Sequence, residues 1–296
     1  MLNRRHIRIK VMQSIYTMHQ HQSDQLDKEE KFLFQSIENT QDLYLLLLSA
    51  LVEIKKKEEL YIDLASKKHL ATKEERNPSL KFVHNKVLMA FANSAALENA
   101  LEERKIKNWQ QNDDIILYLI ESIKASALYE RYMNNATSSF EDDRNFLADL
   151  YTEVIAPSEK LYDYLEDHKL TWLDDLPGIN TLILKQIKQL KSERDVVVIP
   201  EVYKDEDDKE FVKNLFRKTV LNEVELSKEY IDKTPNWDVD RIAELDTIIL
   251  KMAICELLKF PSIPTKVTIN EYLEIAKEYS TPKSSIFING ILDNLV

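Results

Sequence analysis

The chain has 296 residues, a net charge of −11, two glycines (Gly178 and Gly290) and a single cysteine, Cys255. Glycine this scarce rules out a dinucleotide-binding fingerprint and a P-loop, both of which need closely spaced glycines. It also disfavours folds that turn a corner every few residues, and one cysteine excludes an internal disulfide or a cysteine metal cluster.

Long helices joined by few turns are the natural alternative, and hydrophobic periodicity predicts them along the chain. The first runs from about Arg4 to His21, with an apolar stripe at Ile7, Val11, Ile15 and Met18. A long helical stretch covers about 26–70, with a break expected near Asn39. A further helix opens near Pro78-Ser79 and carries Phe82, Val83, Val87, Leu88, Phe91 and Leu97. Helices then fit 113–134, 140–156, 158–169 and 179–192, with Gly178 as a turn after Pro177. Residues 195–200 read Asp-Val-Val-Val-Ile-Pro; a lone β-like run has no partner strand, so an extended connector is expected. The acid cluster from Asp205 to Glu210 suits the first turn of a helix.

Helices follow at 207–233, 239–259, 268–279 and 284–295. The 239–259 segment is apolar almost all round, which marks the central helix of a bundle. Only Asp240, Glu244, Thr247 and Lys251 keep a polar line open on it. Glu256 lies inside that apolar run, where a carboxylate needs partners; Lys266 and Asn270 are the candidates by sequence. Thr268 and Glu271 have capping-box spacing. Gly290 falls inside the last helix, where glycine costs about 1 kcal/mol against alanine, so close backbone packing on the central helix is expected there.

Chemistry-bearing constellations are absent from this pattern. No two of the six histidines have the four-residue spacing of a helical metal site, and they read as solvated. There is no nucleophile elbow, and Cys255 reads as core. The expectation is a non-catalytic protein with no cofactor and no metal. The apolar runs fall far short of a membrane span and no signal peptide is visible, so a soluble cytoplasmic protein is expected. The sharpest local signal is basic. Residues 1–22 carry Arg4, Arg5, Arg8 and Lys10 and no acid. These residues are either a charged helix start or a phosphate site; cations at a helix start oppose its dipole, which speaks for the ligand, and Tyr16 nearby offers a ring on which an unpaired base could stack.

Two stretches resemble the NusB family of transcription antitermination factors. One is Arg4-Arg-His-Ile-Arg-Ile-Lys-Val-Met-Gln-Ser-Ile-Tyr16. The other begins at Asn236-Trp-Asp-Val-Asp-Arg-Ile-Ala-Glu-Leu-Asp246 and continues through Ile249 to Leu258. It runs on through Ile263-Pro-Thr-Lys-Val-Thr-Ile-Asn-Glu271, Glu274-Ile-Ala-Lys277 and Phe287-Ile-Asn-Gly-Ile-Leu-Asp293. The resemblance covers 1–20 and 211–296, leaving 21–210 as a helical insertion. It implies an all-α, NusB-like helical bundle with an additional inserted helical region. It implies no catalysis. The implied function is binding of single-stranded boxA RNA in ribosomal RNA transcripts together with NusE, a small-subunit ribosomal protein, to promote processive transcription by the RNA polymerase elongation complex. The RNA-binding residues it implies are Arg4, Arg5, Arg8, Lys10, Tyr16, Lys251, Lys283, Ser284 and Phe287, with Asp246 facing NusE. Lys251 stands where the family usually has arginine, and Lys283 where it often has an acid. A ribosomal RNA methyltransferase is excluded by the missing glycine-rich turn and reactive cysteines. A helical interaction scaffold that has lost RNA binding remains the alternative.

Overall fold

Every regular element among the described residues is helical. The computed structural model describes residues 1–137, 139–231 and 242–295. The start of the predicted 239–259 helix, with the motif residues from Asn236 to Arg241, lies outside them.

In chain order the helices are α1 (Arg4–Gln20), α2 (Leu26–Ser66), α3 (Lys73–Arg76), α4 (Lys86–Ala92), α5 (Ala95–Glu103) and α6 (Asn108–Gln111). Next come α7 (Asp113–Ala125), α8 (Ala127–Asn134), α9 (Phe140–Leu150), a π-turn at Tyr151–Ile155, α10 (Glu159–His168) and α11 (Leu176–Gln189). The last five are α12 (Glu206–Leu221), α13 (Glu223–Ile231), α14 (Glu244–Lys259), α15 (Thr265–Tyr279) and α16 (Pro282–Asp293). Residues 195–200 form no strand.

The chain divides into two compact units. One holds Met1–Glu38 with Glu201–Val296, the other Asn39–Pro200. The boundary falls inside α2, where the expected break near Asn39 does not occur. The helix runs through Asn39, whose carbonyl also accepts from Trp172 Nε1 at 2.7 Å and whose side-chain oxygen accepts from Lys169 Nζ at 2.9 Å.

In the 39–200 unit, Leu43 to Leu48 of α2 are all buried. Trp109 seals this core by donating to Leu46 O and Ser49 Oγ. At the other boundary, Gln41 Nε2 donates to the Pro200 carbonyl at 3.2 Å, so the entry and exit of this unit lie side by side. The predicted 113–134 helix is two helices, because Ser126 leaves helical geometry and its hydroxyl caps α8 at Tyr129 N. Likewise Asn85 and Ser94 start α4 and α5 where one helix was expected. Gly178 sits in the first turn of α11 rather than between helices.

In the other unit, α14 is the hub. It packs against α1, α12, α13, α15 and α16. Ile248, Ile249, Leu250, Met252, Ala253 and Cys255 on it are all fully buried. The stripe Ile7, Val11 and Ile15 of α1 joins the same core. Asp205 caps α12 by accepting from Asp208 N at 3.0 Å, as acids at a helix start should. The predicted 207–233 helix splits at Asn222, whose side chain donates back to Lys218 O.

Two expectations fail here for physical reasons. Thr268 does not cap α15, which begins at Thr265 with no side-chain cap bond; its hydroxyl and the Glu271 carboxylate are committed to other partners described below. Gly290 is not a close-packing glycine, because a Cβ built there meets nothing within 4 Å.

Candidate nucleic-acid interface

Helix α1 opens with a capping box in which Asn3 Oδ1 accepts from His6 N at 3.0 Å. Three arginines then crowd the positive end of the helix. The conflict with its dipole is settled by carboxylates from three other helices, and the three ion pairs differ in kind.

Arg8 lies in the core, with 2% of its side chain exposed. Its Nε and Nη2 donate to Glu256 Oε2 and Oε1 at 2.8 and 2.6 Å. The same carboxylate accepts from Thr268 Oγ1 at 2.8 Å and from Tyr272 OH at 3.1 Å. Both oxygens are thus doubly satisfied, as a buried charge requires. Neither Lys266 nor Asn270 plays the part expected of it. Arg8 is therefore corrected from a phosphate contact to a buried counter-charge.

Arg4 and Arg5 remain at the surface. Arg4 Nε donates to Asp208 Oδ1 at 3.0 Å, and its guanidinium lies 5.0 Å from the Phe211 ring centre. Its terminal nitrogens bond to nothing among the described residues. Arg5 donates a two-pronged fork to Glu271, Nε to Oε2 at 2.8 Å and Nη2 to Oε1 at 3.0 Å. The fork holds the Glu271 carboxyl below its ordinary pKa. Arg4 and Arg5 border an open groove of about 540 Å³ lined also by Asn3, Ile263, Pro264 and Val267.

The remaining predicted residues lie elsewhere on α1, and on α14 and α16. Helices α1 and α14 run antiparallel: Arg8 meets Glu256 at one end, while His19 and Gln20 meet Glu244 at the other. Glu244 and Glu256 are about 18 Å apart along α14 at 1.5 Å per residue. Lys10 is buried at 4% exposure, which corrects it as a surface contact. Tyr16 is 40% exposed.

Lys251 Nζ binds Glu223 Oε2 at 3.1 Å, and His19 Nε2 bonds the other oxygen of Glu223 at 2.7 Å. Burial disfavours the Glu223 charge, but these two donors outweigh it and lower its pKa. His19 is raised by its bond to Glu223 against the opposing effect of burial. His19 is therefore not a merely solvated histidine. Nor is His168, which is stacked between Tyr164 and Trp172.

Asp246 accepts from Ser280 Oγ and Ser284 Oγ at 2.6 and 2.7 Å, fixing the start of α16. It is only 6% exposed. Ser284 thus faces inward, while Lys283 beside it is exposed. Phe287, one turn on, packs partly against the core.

The structure therefore brings Arg4 and Arg5 together at one end, and Asp246, Lys283 and Ser284 at the other. It does not join the two groups. The carboxylates opposite the arginines escaped the sequence reading because the partners are hundreds of residues apart. Only Glu256, an acid within an apolar run, signalled a buried partner.

The family model described as the NusB family matches residues 183–296. The transcription antitermination protein NusB of Salinibacter ruber is 45% identical over 93 residues, 31% of this chain and 58% of that protein. That of Natranaerobius thermophilus is 53% identical over 68 residues, 23% of this chain and 49% of its own. That of Chloroherpeton thalassium is 40% identical over 97 residues, 32% and 46% of the two chains. The chain thus spans about half the length of these curated relatives, and no solved structure matches it. Among the described residues no helix is long and apolar enough to cross a membrane. The all-α bundle around α14, the family match from residue 183 onward and these relatives agree: over residues 183–296 the chain is similar to the NusB family.

Proposed function

We propose that the chain is a non-catalytic transcription antitermination factor of the cytoplasm. In this reading it binds single-stranded boxA-type RNA of ribosomal RNA transcripts together with NusE and promotes processive transcription by the RNA polymerase elongation complex. The observation that carries the reading is the NusB-family match over 183–296, with relatives that are named antitermination proteins. The geometry adds solvent-facing basic positions in two places. Arg4 and Arg5 flank an open groove at one end of α1, and Lys283 is exposed at the start of α16. A strand of RNA reaching both would take its affinity from phosphates on these cations and its sequence preference from base edges and stacking.

The test is fluorescence anisotropy with boxA RNA and a scrambled RNA of equal length, with and without NusE, across a salt series. The reading expects preference for boxA when NusE is present. Each phosphate contact contributes about 0.7 to the slope of log affinity against log salt. Changing Arg4 and Arg5 together to alanine should lower that slope by about 1.4. Equal affinity for both RNAs with NusE bound would overturn it.

One observation favours a second reading, a protein-interaction scaffold without RNA binding: Arg4, Arg5 and Arg8 are each paired with a carboxylate. That reading expects capture of NusE with no boxA preference.

A further inference from the structure

The three arginine pairs on α1 differ in how a competing anion could reach them. Arg8 and Glu256 are closed off, at 2% and 0% side-chain exposure, and Glu256 has two further donors. Asp208 is 6% exposed and occupies only Arg4 Nε. Arg4 can therefore take a phosphate on its terminal nitrogens and keep Asp208. Arg5 differs from both. Its partner Glu271 is partly exposed, at 22%, and fills the fork face of the guanidinium with both oxygens. That two-oxygen seat is the one a phosphate would use. Both partners border the same open groove.

We infer that Glu271 is an internal phosphate mimic: it occupies the anion seat on Arg5, so that a phosphodiester must displace it to engage the fork. The inference rests on the proposed RNA-binding role of this end of α1. Glu271 thereby acts as a specificity residue. A phosphate that arrives without other contacts meets a seat already filled and a repelling charge beside it. A phosphate delivered by a strand anchored on Arg4 and further along the bundle can displace the carboxylate. Glu271 also keeps the Arg5 fork extended when no ligand is present, which limits the side-chain entropy lost on binding. Arg8 adds to the hold on the seated carboxylate, because its Nη1 lies 4.0 Å from Glu271 Oε2 while that oxygen accepts from Arg5.

The experiment compares the full-length protein with Glu271→Gln, which keeps the shape and removes the charge. Glu271→Ala serves as a second variant, and circular dichroism verifies that both fold. Two probes are used: boxA RNA with NusE, and inorganic pyrophosphate followed by calorimetry. Removing one unit charge at contact distance in a solvent-exposed site is worth about fivefold in affinity. Both variants should therefore bind pyrophosphate about fivefold more tightly. Glu271→Gln should also bind RNA about fivefold more tightly, because the phosphate no longer has to displace a carboxylate from the Arg5 fork. Adding Arg5→Ala to Glu271→Gln should cancel the increase. Unchanged pyrophosphate affinity in both variants overturns the inference, whatever RNA does. Tighter pyrophosphate binding without boxA preference in any of the proteins upholds the gate on Arg5 and overturns the RNA reading instead.

Discussion

Replacing Arg8 with methionine separates a buried ion pair from a surface one on the same helix. The stem of the side chain is kept and only the guanidinium is lost. Glu256 would then sit at 0% exposure with Thr268 and Tyr272 as its remaining donors and no counter-charge. Breaking a pair of this kind by removing one partner costs about 3–5 kcal/mol. At about 1.4 kcal/mol per tenfold change, the opening equilibrium of this bundle should rise between about a hundredfold and a few thousandfold. Cys255 reports it directly. It is the chain's only cysteine, is fully buried, and neighbours Glu256 on α14. Its rate of labelling by a thiol reagent under native conditions therefore follows opening of the bundle around it. The control is Arg5→Met. That pair is partly exposed, so its loss is worth at most about 1 kcal/mol and about a fivefold change in rate. Equal labelling rates in the two variants would refute the assignment of Arg8 as a buried structural counter-charge.

Two further outcomes are expected. Gly290→Ala should stabilise the bundle by about 0.5–1 kcal/mol in urea unfolding, since the added methyl meets nothing within 4 Å and helix propensity improves; a loss of stability would mean that the backbone packs closely there after all. The raised pKa of His19, due first to its bond with Glu223, makes a pH-dependent contribution. That contribution is complete below the unfolded value of about 6.5 and is lost as pH rises through the folded value. The urea midpoint should fall across that window, and His19→Gln should flatten the profile; a profile left unchanged in the variant would remove His19 as its source.

How far the sequence could be read depended on whether a residue's fate was decided locally. Helix α1 was legible because Ile7, Val11, Ile15 and Met18 carry the helical period, and all of them are buried. The central place of α14 was legible because a helix apolar all round has no other place to go. Ser126 and Asn222 are not legible as breaks, since a polar residue on a helix surface and one that caps look alike until the chain turns. Thr268 and Glu271 had the right spacing for a capping box, yet Glu256 and Arg5 compete for them and win. Asp246 was expected to face a partner protein, and it instead commits both oxygens to Ser280 and Ser284. The pairing of Arg4, Arg5 and Arg8 was not readable at all, because nothing in a one-dimensional pattern joins residue 8 to residue 256.

The position of α1 sets an order of events during synthesis. Its apolar stripe is buried chiefly against helices that begin at Glu206 and beyond. At about 5–20 residues per second, α1 waits roughly 10–40 s for them. Throughout that time Ile7, Val11 and Ile15 lack those native partners. The 39–200 unit can complete its own contacts first, and with Gln41 bonded to Pro200 it returns the growing chain to where it left. A folded 39–200 unit thereby replaces a long flexible loop with a short one and removes most of the closure entropy that α1 would otherwise face. The 39–200 unit thus acts as a clamp in time on the unit formed by the two ends of the chain: a chain arrested after Pro200 would hold the residues of 39–200 and an exposed, sticky first helix.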